Sequence, residues 1–211
     1  MTRKKTDKGW MARHVRDPYV KEAARLGYRS RAAFKLLELD RRDRLLRAGM
    51  RVVDLGAAPG GWSQVAASRV GPAGHVVAAD TAHIEPIPGV RFLRGDLRDP
   101  AMVARLQEAL DGHRADLVLS DMAPNLSGVA AADEARAQEL VDTALALSAV
   151  LLQPEGALVV KMFHGSGLEA VIQRMRAAFQ SVEMRKPPAS RSRSSELYAL
   201  CRRPVRPQDT Y

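Results

Sequence analysis

The segment from Gly156 to Phe163 constrains the fold more than any other part of the sequence. It reads Gly-Ala-Leu-Val-Val-Lys-Met-Phe, an apolar run without alternating polar residues. Such a run is typical of a strand in the middle of a parallel sheet, where both faces are covered. Lys161 interrupts the run, and a buried ammonium group is costly unless it is paired or gives up its proton. We therefore predict a central strand whose lysine has a chemical role.

Two further segments place polar groups where a strand ends. The predicted strand 115–120 runs into Asp121, and the predicted strand 51–55 runs into the glycine-rich loop 56–62. The carboxyl ends of parallel strands meet at one edge of a sheet, where ligands of open α/β sheets bind. The sequence therefore predicts an active site at this edge.

Strand and helix patterns alternate from residue 51 onward. We predict strands at 51–55, 75–79, 90–94, 115–120, 156–162, 181–186 and 196–202, and helices at 61–70, 100–110, 133–152 and 167–179. The alternation predicts an α/β fold, a doubly wound Rossmann-like sheet of seven mostly parallel strands. Only a turn separates the last two strands, so we expect them to form an antiparallel C-terminal hairpin.

The first fifty residues differ in character from the rest. Residues 1–16 lack apolar periodicity and are expected to be flexible. Asp17-Pro18 predicts a helix start, Gly27 its end, and Ser30 the cap of a second helix. We therefore divide the chain into a basic N-terminal arm with helices (1–50) and a catalytic α/β domain (51–211).

The balance of charge predicts a polyanionic partner. Lysine and arginine total 33 against 24 acidic residues, which gives a net charge of +9 and a pI of about 10.2. Such an excess favours nucleic acid or an anionic membrane. Basic residues concentrate near the two ends, where they predict an electropositive track for phosphates: Arg3, Lys4, Lys5, Lys8, Arg13, Arg16, Lys21, Arg29, Arg31, Arg185, Lys186, Arg191 and Arg193.

Other features argue against a membrane, a secretory route and a metal. We see no apolar stretch long enough for a bilayer and no secretory signal, and we expect a cytoplasmic protein without a membrane partner. The single cysteine, Cys201, excludes an intramolecular disulfide and a cysteine-based metal cluster. The five histidines form no ligand pattern, so we expect no metal.

A nucleoside-containing cofactor is indicated by the loop and by two acids. The loop from Gly56 to Gly61 allows close backbone approach, but it breaks the G-x-G-x-x-G spacing of dinucleotide sites. Asp80 ends the second strand, where an acid can bind ribose hydroxyls, and Asp96 follows the third, where an acid can accept from an adenine amino group. The two acids together favour S-adenosylmethionine over NAD. We expect Gly60 and Trp62 to shape the same pocket.

The chain is similar to one family over nearly its whole length, from Ser30-Arg31 onward. The motifs that carry this similarity are Asp-Leu-Gly-Ala-Ala-Pro-Gly-Gly-Trp-Ser-Gln (54–64), Ser-Asp-Met-Ala-Pro-Asn-Leu-Ser-Gly (120–128), Val-Val-Lys (159–161), Arg-Lys-Pro (185–187) and Ser-Arg (190–191). They resemble the FtsJ/RrmJ (RlmE) type of ribosomal RNA large-subunit methyltransferase. Taken singly, Lys35 and Glu196 would be interpreted as solvated charges; the resemblance places them in a catalytic tetrad with Asp121 and Lys161.

The resemblance implies methylation of a ribose 2′-hydroxyl, on a uridine of 23S ribosomal RNA in the large subunit, by a protein we expect to be a monomer. A ribose hydroxyl must lose its proton as the methyl group arrives. We assign Lys161 as the base, Asp121 as its orienting partner and a cofactor neighbour, and Lys35 as the second cation and a contact to the 2′-oxygen. Glu196 is expected to orient a lysine or the ribose.

Three alternatives stay open at this stage. A 2′-O-methyltransferase of tRNA or of the mRNA cap uses the same tetrad. A nicotinamide-dependent oxidoreductase shares the fold, but the broken glycine spacing and the paired lysines argue against it. A non-catalytic RNA-binding assembly factor is disfavoured by the complete tetrad.

Overall fold

The computed structural model describes residues 17–125, 127–165, 167–191 and 194–205. The predicted flexibility of residues 1–16, and the part of the basic track assigned to those residues and to Arg193, lie outside this part of the chain. Everything said below about structure refers to the described residues.

The described chain alternates between helices and strands almost throughout. The helices are α1 (Pro18–Arg25), α2 (Ala32–Asp43), α3 (Gly61–Val70), α4 (Pro100–Ala109), α5 (Ala130–Leu151) and α6 (Leu168–Ala178). The strands are β1 (Arg51–Leu55), β2 (His75–Asp80), β3 (Val90–Arg94), β4 (Ala115–Ser120), β5 (Leu152–Phe163), β6 (Phe179–Arg185) and β7 (Glu196–Pro204).

The strands form one seven-stranded sheet in the order β3-β2-β1-β4-β5-β7-β6. The strands from β3 to β5 run parallel, whereas β7 pairs antiparallel with both β5 and β6. The predicted α/β class with a mostly parallel Rossmann-like sheet and an antiparallel C-terminal pair is confirmed. Because β7 runs against β5, its first residue lies at the edge where the parallel strands end.

Several element boundaries differ from the predictions. Helix α5 begins at Ala130, before the predicted start at 133, and it ends at Leu151. Strand β5 follows at once, because Leu152 takes extended backbone angles and Pro154 disfavours a helical conformation for the residue before it. Strand β6 likewise begins at Phe179, directly after α6 and before the predicted start.

The start of α1 is as predicted, but the start of α2 is not. The Asp17 carboxylate accepts from the backbone N–H of Tyr19 at 3.1 Å, with Pro18 in the first turn. Ser30, by contrast, does not cap α2: the cap position is Arg31, without a side-chain hydrogen bond. The Ser30 hydroxyl instead lies against Gly61, where a Cβ would come within 2.5 Å of it. The Ser30 side chain therefore packs at the contact between α2 and α3 and makes no capping hydrogen bond.

The sheet separates two apolar clusters. On one face, α4, α5 and α6 pack through residues such as Leu106, Leu147 and Met175. On the other, α2 and α3 pack through residues such as Leu36 and Trp62. Helix α2 therefore shares a core with the sheet. The division of the chain into an N-terminal arm (1–50) and a catalytic domain (51–211) stays a prediction. No helix within the described ranges combines the length and the apolar character needed to cross a membrane.

Candidate active site

The four predicted catalytic residues come together at the carboxyl edge of the sheet. Asp121 follows β4, Lys161 lies near the end of β5, Glu196 opens β7 and Lys35 is on α2. Their side chains form two ion pairs. The Lys161 Nζ lies 3.1 Å from Oδ1 of Asp121, and the Lys35 Nζ lies 2.8 Å from Oε1 of Glu196.

The register of β5 and β7 explains this convergence. Phe163 lies opposite Glu196, and Lys161 lies opposite Tyr198. Side chains two positions apart on a strand share a face, as do directly opposed residues. These four strand residues therefore project from the sheet face that α2 covers. Lys35 on α2 meets Glu196 there.

Burial makes both ion pairs electrostatically strong. The side chains of Lys35 and Glu196 are only 9% and 11% exposed, and that of Lys161 is 9% exposed. Burial alone would raise the pKa of Glu196, but the charge and hydrogen bond of Lys35, together with the charge of Lys161, hold that pKa below its ordinary value. The carboxylate is therefore ionised at neutral pH and holds Lys35 in place.

Tyr198 is a site residue that the sequence reasoning missed. Its buried hydroxyl donates to Oδ1 of Asp121 at 2.7 Å, and its ring centroid lies 5.7 Å from the Lys35 Nζ. Burial, followed by the negative charge of Asp121, raises its pKa well above the ordinary value, so it stays a hydrogen-bond donor. The alternation along β7 could have revealed it, since Tyr198 shares a face with Glu196.

A cleft of about 720 Å³ opens beside Asp121, with Asp80 and Asp96 in its walls. Asp80 is held by the backbone N–H of Ala58 at 2.9 Å and that of Ala82 at 2.8 Å. Gly56 has a positive φ of 72°, and a Cβ there would lie 2.3 Å from Cγ of Met122. Only glycine fits this position without strain, and the loop backbone stays close to the cleft.

Asp96 is engaged by an arginine on the same rim of the cleft. Nε of Arg98 donates to Oδ1 at 3.0 Å and its terminal nitrogen donates to Oδ2 at 2.7 Å. The same guanidinium reaches Glu139 on α5 at 3.1 Å. These hydrogen bonds lower the pKa of Asp96 to about 2. Asp96 is thus a fixed, ionised acceptor.

Gly60 and Trp62 lie at the start of α3. Neither belongs to the described residues that line the cleft. Gly60 precedes α3 with a φ of 108°. Trp62 is buried, donates from Nε1 to the carbonyl of Ala32 at 2.7 Å, and has its ring centroid 5.7 Å from that of Tyr198. Its direct contact with a cofactor stays a prediction; the structure gives it a position between α2 and the catalytic face.

Asp54 is a second residue whose role the sequence reasoning missed. It is 1% exposed on β1 and accepts from the Ser63 hydroxyl at 2.6 Å. Burial raises its pKa to about 7, the Ser63 bond opposes this rise, and the charges of Asp121 and Asp80 add to it. The sequence signal that could have revealed this residue is a carboxyl group within an otherwise apolar strand.

Part of the predicted basic track proves to be structural. The prediction is wrong for Arg185, which is 9% exposed and binds Asp43 at 2.8 Å. Lys186 donates to the carbonyls of Ser194 at 2.6 Å and Glu196 at 2.8 Å. Arg31 binds the Asp17 carboxylate and the carbonyl of Ala189. These cations hold the segment that leads into β7, and therefore position Glu196.

Metal and thiol chemistry find no support in the described part of the chain. Within it, no group of three or more His, Cys, Asp or Glu residues could hold a metal ion. Cys201 is fully buried on β7, and burial raises the pKa of its thiol to about 12. It is therefore a core residue.

Comparison with known proteins identifies the family of this chain. The model of the FtsJ-like methyltransferase family matches residues 28–204. The chain belongs to this family. Ribosomal RNA large subunit methyltransferase E of Dechloromonas aromatica is 52% identical over 202 residues, which cover 96% of this chain and 98% of the relative. That of Thiobacillus denitrificans is 53% identical over 204 residues, which cover 97% and 93%.

Solved structures show the same fold in more distant proteins. A Plasmodium falciparum protein assigned as a ribosomal RNA methyltransferase superposes with a TM-score of 0.75 at 28% identity, over 84% of this chain and 99% of its own. Aeropyrum pernix fibrillarin, solved with bound S-adenosylmethionine, superposes with a TM-score of 0.58 at 15% identity, over 82% and 75%. The protein is an S-adenosylmethionine-dependent methyltransferase, and membership of this family decides against the oxidoreductase alternative.

Proposed function

We propose that this enzyme transfers a methyl group from S-adenosylmethionine to the 2′-hydroxyl of a uridine ribose in the 23S RNA of the large ribosomal subunit. The observation that carries the proposal is the pair of buried lysine–carboxylate contacts beside the cleft, 3.1 Å for Lys161–Asp121 and 2.8 Å for Lys35–Glu196. The named relatives are large-subunit ribosomal RNA methyltransferases over nearly the full chain.

The cleft has the groups that a nucleoside with a sulfonium centre needs. Asp80 would accept hydrogen bonds from the ribose hydroxyls, and Asp96, ionised and fixed by Arg98, would accept from the adenine amino group. Gly56 keeps the backbone close to the ligand. Asp121 lies where the cleft meets Lys161, so its negative charge would face the sulfonium. When bound, S-adenosylmethionine supplies an electrophilic methyl group.

Lys161 would act at the ribose 2′-oxygen. A buried lysine can take up the hydroxyl proton only while it is neutral, and a second cation nearby favours the neutral form. Lys35 and Lys161 approach the same carboxylate, since both charges act on Glu196. Asp121 accepts from the Lys161 Nζ through a carboxylate oxygen at 3.1 Å and through its backbone carbonyl at 3.2 Å. These contacts fix the nitrogen at the end of β5, where we place the ribose.

Lys35 and Glu196 would orient the ribose rather than move its proton. Glu196 is held at the start of β7 by Lys35, and Lys186 binds its backbone carbonyl at 2.8 Å. An ionised carboxylate in this position can accept from a ribose hydroxyl, while the Lys35 ammonium donates to the 2′-oxygen as charge develops on it. Holding the hydroxyl in line with the methyl group supplies much of the rate enhancement in such transfers.

The biological setting follows from the same proposal. We place the reaction on ribosomal RNA within the large subunit, and hence in the cytoplasm. One chain supplies all four tetrad residues, so we expect the enzyme to act as a monomer. The net charge of +9 supports binding to the phosphate backbone.

Mapping a labelled ribose tests the proposal directly. The enzyme would be incubated with methyl-labelled S-adenosylmethionine and, separately, with large subunits, small subunits, tRNA and capped mRNA from cells that lack this methylation. We expect label on the 2′-oxygen of one large-subunit uridine, and none with Lys161→Ala. Label confined to tRNA or to the cap would replace the ribosomal assignment, while label on a base would contradict ribose methylation.

A further inference from the structure

The exposed arginines that the fold leaves unengaged are concentrated in one segment, which lies outside the predicted basic track. Among the described residues, the side chains of four exposed arginines make no hydrogen bond or ion pair: Arg41, Arg42, Arg44 and Arg47. Every other exposed arginine in the described ranges binds a carboxylate or a backbone carbonyl. The segment 41–47 therefore presents a concentrated positive charge to solvent.

The acids of the same region do not neutralise this charge. Each of the three carboxylates has partners elsewhere in the fold: Tyr19 and Ala189 for Glu38, Leu46 and Arg69 for Asp40, and Arg185 for Asp43. The side chains of Asp40 and Asp43 are only 9% exposed. A stretch of mixed charge in the sequence thus becomes a surface of one sign in the folded protein.

Three of these arginines line an open groove of about 600 Å³ beside α2: Arg41, Arg44 and Arg47. Apolar side chains line the groove as well: Phe34, Leu37 and Leu46. A guanidinium group is more weakly hydrated than an ammonium group, and its planar fork of donors matches the oxygens of a phosphate. The groove therefore has the chemistry of a site for successive phosphate groups.

Helix stability accounts for only part of this cluster. Arg41 and Arg42 lie in the last turn of α2, where a positive charge also stabilises the helix dipole. Arg44 and Arg47 follow the helix, and Arg44 takes a left-handed backbone conformation, with a φ of 51°, that glycine adopts more easily. The helix thus requires an arginine at neither of these two positions.

We propose that this groove binds the phosphate backbone of the substrate RNA beside the nucleotide that is methylated. The inference rests on the proposed ribosomal RNA substrate. Lys35 and Arg41 are on the same helix, and the helical rise places them about 9 Å apart along its axis. A phosphate in the groove and a ribose at the tetrad can therefore belong to neighbouring parts of one RNA. The groove contributes to binding, and the transfer of the methyl group stays with the tetrad.

Three triple variants test the groove without touching the tetrad or the cofactor cleft. The first removes three positive charges and the second keeps them: Arg41→Gln/Arg44→Gln/Arg47→Gln and Arg41→Lys/Arg44→Lys/Arg47→Lys. The matched control removes the same charge at exposed arginines that are paired with acids: Arg174→Gln/Arg176→Gln/Arg203→Gln. Each variant would be assayed for binding to naked 23S RNA and to large subunits at several salt concentrations. The other measurements are kcat and KM with large subunits, affinity for S-adenosylhomocysteine, and thermal stability.

We expect the glutamine variant of the groove to lower the slope of log affinity against log salt by about 3, since each lost phosphate contact removes about 1. Between about 50 and 200 mM salt, wild-type affinity for RNA should therefore fall about 60-fold more than that of this variant. KM for large subunits should rise, with kcat, S-adenosylhomocysteine affinity and melting temperature close to wild type. The lysine variant should keep most of the salt slope, and the matched control should behave as the wild type. If the triple glutamine variant failed to fold, Arg47→Gln alone should lower the slope by about 1.

A wild-type salt slope and KM in the glutamine variant of the groove would overturn the inference. Equal losses in the matched control would overturn it too, because the effect would then follow net charge and not this groove. Weaker binding to large subunits with unchanged binding to naked 23S RNA would assign the groove to a ribosomal protein instead of RNA. If the wild type itself methylated no ribose, the proposed function would fail, while the RNA-binding measurements would still decide the inference.

Discussion

The buried carboxyl of Asp54 makes the stability of this fold depend on pH in an unusual direction. Asp54 is 1% exposed in the middle of the sheet. Among the described residues, its pKa is set by its own burial, by the hydrogen bonds from Ser63 and by the negative charges of Asp121 and Asp80, and no cation offsets the burial. Asp54→Asn keeps the shape and an oxygen acceptor for Ser63, and it removes the ionisable group. The substitution therefore isolates the free energy of ionising this one side chain.

The magnitude follows from the two pKa values. The pKa of Asp54 is about 7 in the folded protein, against an ordinary value of 3.8. At 1.36 kcal/mol per unit, folding is disfavoured by about 4 kcal/mol once both states are ionised. Because the pKa is raised in the folded state, the folded protein is free of this penalty below about pH 4. The penalty grows as the pH rises from about 4 to about 7, and stability is lost over this range.

Urea denaturation at pH 5 and at pH 8 measures this effect. The free energy of unfolding of Asp54→Asn minus that of the wild type should increase by roughly 2 to 3 kcal/mol between these pH values, since the wild type is penalised further and the variant is not. Asp142→Asn, an exposed change on α5, serves as the control for general charge effects. If the free energies of unfolding of Asp54→Asn and of the wild type changed equally between the two pH values, the argument that Asp54 is a buried carboxyl without a cationic partner would be refuted.

Three further predictions concern the cofactor, the base and the RNA. Lys161→Ala and Lys161→Arg should both fold and bind S-adenosylmethionine but lose methyl transfer by orders of magnitude. Alanine has no basic group, and a guanidinium keeps its proton at working pH. If Lys161→Arg kept most of the wild-type rate, Lys161 would not be the base and the site would act by positioning alone. Asp80→Ala should abolish the calorimetric heat of S-adenosylhomocysteine binding, and an unchanged isotherm would remove Asp80 from the site. Deleting residues 1–16 should weaken RNA binding and flatten its salt dependence with cofactor affinity unchanged, whereas an equal salt slope would show that this arm does not contact phosphates.

The sequence predicted the architecture well because its strongest signals are local. An apolar run such as 156–162, bounded by glycine and proline, identifies a buried strand without knowledge of its neighbours. The position of β7 between β5 and β6 could not be derived in the same way, since strand order depends on pairing between distant segments. The boundary at Leu152 was missed because helix and strand follow each other there without a loop.

The candidate site shows the same division. Lys161 and Asp121 were found from their places at strand ends, but Lys35 and Glu196 looked like surface charges until a family resemblance joined them. Their burial arises from a contact across 161 positions of sequence, which no local pattern encodes. Arg185 was misassigned for the converse reason, because a buried arginine and an exposed one have the same appearance in a sequence.

The placement of β7 has a consequence for how the enzyme is made. Ribosomes synthesise the chain from its N-terminus, so Glu196 is the last tetrad residue to emerge, and the strand that carries it must enter between two strands already made. A nascent chain that stops before residue 196 lacks an interior strand, not a peripheral one, and β5 then presents Lys161 along an open edge. Catalytic competence and completion of the sheet therefore both wait for the synthesis of β7.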